Sequence, residues 1–116
     1  MRADLSVDIA IRPSRRDPGA RLAATVVALA GPATLVSHGQ ADWASITFAG
    51  SRHRLELQFD GSAIEAADAF LERLPEHEFE LPGRLVADAA VVEVRHELLP
   101  MPRLTAVVEL LVLDEH

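Results

Sequence analysis

Five histidines (His38, His53, His77, His96 and His116) are the side chains of this chain that titrate near neutrality without help from their surroundings. None of them falls at H-x-x-x-H spacing, and no cysteine is present to complete a ligand set, so neither a metal nor a cofactor is expected. Glu76-His77-Glu78 places three potential ligands in a row, but consecutive side chains rarely converge on one ion, and a solvated run is the plainer reading. His53 and His96 stand apart because strand alternation puts both on inward faces. A polar group buried there needs a hydrogen bond or a wet rim. His38-Gly39-Gln40-Ala41-Asp42-Trp43 gathers a histidine, a carboxylate and the single tryptophan. An outward Trp43 beside polar groups is a contact site for a small ligand or a partner; its plainer reading is packing under the preceding segment. Trp43, His53 and His96 are therefore the candidate ligand-binding residues.

No template for catalysis is met. The chain has no GxGxxG, no P-loop and no GxSxG. Ser37, His38 and Asp42 make no triad, since a serine, a histidine and an acid can be picked out of any chain this long. A formal net charge of −7 argues against nucleic acid, which needs clustered cations. Arg12, Arg15 and Arg16 form the one basic cluster, and they read as a solvated loop beside Pro13. Every basic side chain is Arg, and Lys, Asn, Tyr and Cys are all missing, a pattern expected of a GC-rich bacterial gene rather than of a functional demand. Without cysteine there are no disulfides and no thiolate chemistry. The first residues show no continuous apolar run of the kind a signal peptide needs, and Leu22 to Ala30 is too short to span a bilayer, so a cytoplasmic protein without membrane contact is expected.

The elements that must position these residues can be read from periodicity. A length of 116 residues suits one domain, 1–116, with a radius of gyration of roughly 13 Å. Leu5, Val7, Ile9 and Ile11 alternate with polar or small residues as a half-buried strand does. Asp17-Pro18 starts a helix and Gly31-Pro32 stops it, with Leu22, Val26 and Leu29 on one face; a strand from Leu22 to Leu29 is the alternative. Pro32 to Asp42 reads as loop, with a short extended piece at Thr34 to Ser37. Gly50-Ser51, between two alternating runs, predicts a two-residue hairpin turn pairing Phe48 with His53, Ile46 with Leu55 and Ala44 with Leu57. Ser62-Ala63-Ile64-Glu65 predicts a capping box ahead of a helix striped by Ile64, Ala67, Phe70, Leu71 and Leu74 and ended by Pro75.

A long strand from Val86 to Leu98 and a final one from Leu104 to Leu113 complete the chain, joined through Pro100-Met101-Pro102. In their hairpin a five-residue connection, Pro100 to Leu104, sets Arg95 opposite Glu109 and avoids placing Glu93 there. The order β-α-β-β-α-β-β predicts an α+β two-layer sandwich, with an antiparallel sheet carrying two helices on one face. It matches a ferredoxin-like arrangement with an extra C-terminal strand.

The last strand is apolar on both faces, and its second face (Val107, Leu111, Leu113) lacks the charges that guard an edge. Together with Leu98-Leu99-Pro100-Met101-Pro102 it points to a non-catalytic module that acts through homo-oligomerisation, a homodimer first of all, or through a protein partner. The competing expectation is a small-molecule-binding domain or enzyme at the sheet rim near His53, His96 and Trp43. The plainer reading of the strand's apolar second face is a central place in the sheet with both faces covered.

Overall fold

Proline and glycine bracket the first helix. The computed structural model describes residues 18–115, and in it α1 spans Pro18–Ala30. Pro18 sits at the first position, where its missing N–H is no loss. Gly31 follows at φ 79°, and its N–H donates to the Val27 carbonyl at 3.0 Å, a left-handed cap that suits glycine. Leu22, Val26 and Ala30 are buried four residues apart, with Ala23 beside them. The segment is thus helix and not strand. The strand expected at Leu5 to Ile11 and the Arg12, Arg15, Arg16 cluster lie outside the described residues.

Four strands follow: β1 Thr34–Ala44, β2 Ala49–Asp60, β3 Arg84–Glu97 and β4 Arg103–Asp114. Among the described residues they form one antiparallel sheet in the order β1-β2-β4-β3. A second helix, α2 (Ile64–Arg73), links the two hairpins. Leu55, Leu57 and Phe59 of β2 and Ala106, Val108 and Leu110 of β4 face Leu22 and Val26 of α1 and Phe70 of α2, and together they make the core. The α+β class and the two helices on one face are as expected. A ferredoxin-like order is not confirmed: four strands are described where five were expected, and β2 has β1 on one side and β4 on the other, so two hairpins lie side by side.

Three local expectations need correction. The first hairpin turns at Ser45 to Phe48, not at Gly50-Ser51. The Ser45 N–H donates to the Phe48 carbonyl at 2.8 Å, and the Phe48 N–H donates to Ser45 Oγ at 3.1 Å. β1 therefore takes in most of the stretch read as loop, and Leu35 and His38, rather than Ala44 and Ile46, stand opposite Leu57 and Leu55. Gly50 is needed inside β2 instead, because a Cβ there would collide with the Val112 carbonyl oxygen. A glycine within a strand can mark such a close backbone approach as readily as a turn.

The capping box does not form either. Residues Gly61–Ala63 make a 3-10 turn, α2 begins after it, and no side chain caps α2. A cap residue needs extended backbone; Asp60 has it, at φ −106° and ψ 140°, whereas Ser62 lies inside the turn. At its other end α2 tightens into a second 3-10 turn, Leu74–Glu76, around Pro75.

Third, Arg95 lies opposite Thr105, and the β3–β4 connection is residues 98–102. Extra residues at Ala87 and Val92 shift the register, so Ala90 faces Glu109. Glu109 finds its cation on its other neighbour: Arg54 of β2 is directly opposite and donates from Nη1 to Oε2 at 2.8 Å. An inner strand has two neighbours, and either can supply the cation. The same inner position leaves β4 no edge to guard, and Thr105, Val107 and Leu113 on its outer face are buried.

The sheet outgrows its helices. The radius of gyration is 14.5 Å and the long axis 46 Å, so the hairpin ends extend past the core. His96 shows the consequence. It lies on the helix side opposite Leu104, as alternation predicts, yet it is exposed, because the strand end reaches beyond the helical cover.

Candidate functional site

Two histidines that look unrelated in the sequence meet where β1 and β2 pair. His38 stands opposite Leu55 and His53 opposite Gln40, so they are diagonal neighbours on the helix side of the sheet. His38 Nε2 and His53 Nδ1 are 2.9 Å apart, and His53 Nε2 is 2.7 Å from Ser51 Oγ. His53 itself is 2% exposed. An N–H···N bond needs one nitrogen protonated and the other bare, so the string holds only while at least one ring is neutral. Hydroxyl, imidazole and imidazole in this order have the connectivity of a nucleophile, its base and a group orienting the base. A reaction also requires room beside the nucleophile and donors for the developing charge. Sequence reasoning missed His38 because its segment was read as loop. The signal present was the period-two series His38, Gln40, Asp42, which carries no apolar residue to mark it as strand.

Trp43 is on the opposite side of the sheet. It faces Gly50, which faces Leu113, which faces Leu85, so these four residues form one row across the end of the outer face. Leu111 is in the adjacent row, opposite Arg52. His53 and His96 share the helix side but stand opposite Leu110 and Leu104 respectively, a separation of roughly 20 Å along β4 at about 3.3 Å per residue. Trp43, His53 and His96 are thus not brought together. Among the three interface candidates, Val107 is 3% exposed and Leu113 is also buried, while Leu111 is half-buried. Arg95 of β3 reaches Glu56 of β2 at 3.7 Å and Glu93 at 2.8 Å, so its guanidinium bridges the outer face across the intervening strand β4.

A cleft of about 430 Å³ opens at the far end of β2, lined by Asp60, Gly61, Glu97, Leu99, Pro100, Met101, Pro102 and Arg103. The Gly61 N–H donates to the Pro102 carbonyl at 3.0 Å, and Arg103 donates to both Asp60 oxygens, at 2.7 and 3.4 Å. These bonds hold the 98–102 loop, with its cis Leu99–Pro100 bond, against the end of β2. The hydrogen bond and the charge of Asp60 raise the Arg103 pKa above its already high value, and Glu97 adds to that. The cleft therefore has apolar walls and carries the charged Arg103 on its rim. None of Trp43, His53 or His96 reaches it. Among the described residues no three of His, Asp and Glu converge as a metal site would require, and no helix is long and apolar enough to cross a membrane.

No family model matches the chain, and no curated protein matches it in sequence. Among solved structures, a chain in the virion of a native gene transfer agent (GTA) particle is similar in fold, with a TM-score of 0.57 and 19% identity. The likeness covers 92% of this chain and 100% of that one. At this identity it shows a shared fold.

Proposed function

We propose that this chain is a non-catalytic assembly module that associates with copies of itself or with a protein partner. The observation that carries the reading is where its apolar surface lies. Ile46 is 104% exposed and Leu99 83%, with Phe48, Leu98 and Met101 more than half exposed. These five are the most exposed large apolar side chains among the described residues and sit in the two hairpin connections, while Val36, Leu85, Val92 and Val94, about half exposed, lie on the strands. Exposed apolar clusters on a soluble domain mark contact surfaces. The fold likeness to a chain of a virion particle supports the same reading, since such a particle is built from many protein contacts. Sedimentation velocity on the full chain tests it: a mass above 12.6 kDa that grows with concentration supports self-association. A monomer at every concentration up to the millimolar range counts against it.

A second reading has one observation in its favour, the Ser51–His53–His38 string. It makes the chain a small hydrolytic or ligand-binding domain centred on Ser51. Covalent labelling by a fluorophosphonate, abolished in Ser51→Ala, supports the hydrolytic form of this reading, and absence of labelling removes that form.

A further inference from the structure

The two exposed hairpin ends have opposite shapes. The β1–β2 connection is a tip: Ser45 closes a four-residue loop on itself, leaving Ile46 fully exposed and Phe48 more than half exposed. The β3–β4 connection is a recess, the 430 Å³ cleft walled by Leu99, Pro100, Met101 and Pro102. Tip and recess lie at opposite ends of β2, because β2 begins at Ala49 beside the tip and ends at Asp60 on the rim of the recess. Eleven steps at about 3.3 Å separate them by roughly 36 Å, most of the 46 Å long axis. We infer that copies of this chain associate head to tail, the Ile46/Phe48 tip of one copy entering the recess of the next.

This inference rests on the assembly reading above and names the surfaces. A second copy is the fitting occupant because one chain carries both halves of the contact. Tip against tip sets convex on convex, and recess against recess leaves its volume unfilled, so only a tip-into-recess contact satisfies both surfaces. The recess is in the size range that takes a drug-sized apolar group, and so takes two adjoining apolar side chains. The tip, Ser45-Ile46-Thr47-Phe48, brings no charge to the rim, where Asp60 is paired with Arg103 and Glu97 acts on the same guanidinium through its charge.

Area sets the kind of assembly. Ile46 and Phe48 on one side and Leu98, Leu99 and Met101 on the other would remove on the order of 700 Å² from water, less than the roughly 1,200–2,000 Å² of a free-standing pair. A single contact is therefore weak. A copy held at both ends makes two such contacts, and contacts of this head-to-tail kind close into rings or run on as filaments.

Two variants decide it. Ile46→Glu removes the tip and Met101→Glu blocks the recess; both positions are exposed, so each variant should keep the wild-type circular dichroism spectrum. Wild-type protein should assemble with rising concentration, and each variant alone should stay monomeric. Mixed one to one, they should form two-chain complexes and nothing larger, because one intact tip and one intact recess remain between them. The chain has no cysteine, so Ile46→Cys and Met101→Cys provide a second measurement that captures a weak contact. On oxidation the mixture should give well over the statistical half of tip-to-recess product. If the wild type stays monomeric and the cysteine mixture is only statistical, self-assembly itself is overturned. If the wild type assembles but the glutamate variants do not complement, the head-to-tail geometry is overturned while the assembly reading stands.

Discussion

Replacing Gly50 with Ala adds one methyl at a place where only backbone can yield. The new Cβ would collide with the Val112 carbonyl oxygen and lie 2.9 Å from both Val112 C and Leu113 Cα. Carbon atoms settle at roughly 3.5–4.0 Å, so β2 and β4 would have to move apart by on the order of 1 Å. Two effects oppose each other. Glycine inside a strand costs roughly 0.5–1 kcal/mol relative to alanine, which favours the substitution. Overpacking a filled interior costs roughly 1–3 kcal/mol, which disfavours it. The strands meet at the Gly50–Leu113 pair with no side chain to swing aside, so the second effect should win, with a net loss of about 1–2 kcal/mol. In urea, at a slope of roughly 1–3 kcal/mol per molar, the midpoint should fall by on the order of 1 M without a change of slope. Trp43, directly opposite Gly50, reports the transition by fluorescence, and circular dichroism checks it independently. Gly39→Ala is the control: it lies in the outer strand β1, and its Cβ meets nothing within 4 Å. Only propensity acts there, and stability should hold or rise by up to roughly 1 kcal/mol. Equal or greater stability in Gly50→Ala, or both variants shifting the same way, refutes the reasoning.

Three further outcomes are expected. Ser62→Ala should change stability by no more than about 0.5 kcal/mol, since Ser62 caps nothing; a loss of about 1 kcal/mol in denaturant would restore the capping box. A double-mutant cycle on Arg54 and Glu109, each replaced by Ala, should yield a coupling of roughly 0.2–1 kcal/mol that shrinks in molar salt, and a coupling of zero at low salt would show the pair to be idle. His53→Ala should cost roughly 2–4 kcal/mol by chemical denaturation, because it empties a buried site and strips Ser51 and His38 of a partner. A loss below about 1 kcal/mol would mean that water replaces the ring easily.

The sequence alone was enough for the first helix and for the buried face of β2, which depend on near neighbours. The first helix was legible because Pro18, Gly31 and a four-residue apolar spacing act within a few turns of chain. The alternation of Leu55, Leu57 and Phe59 with Arg54, Glu56 and Gln58 was likewise enough to place β2 and its buried face, and with it the burial of His53. What went astray depended on strands far apart in the chain. Gly50 looks like a turn until β4 is brought against it, and the turn then moves to Ser45–Phe48 and carries Ile46 from the expected core to an exposed tip. Ser62 and Glu65 have capping-box spacing, but the extended backbone a cap requires belongs to Asp60, whose carboxylate is held by Arg103 more than forty residues away. Glu109 has the right chemistry for Arg95, and sheet order gave it Arg54. Strand order decides which backbones touch and which charges oppose. Local pattern cannot encode it, because each strand's alternation is satisfied equally well beside any neighbour that buries the same face. The pairing of His38 with His53 and the placing of a tip and a recess at the two ends of one sheet were settled at that level, by tertiary structure.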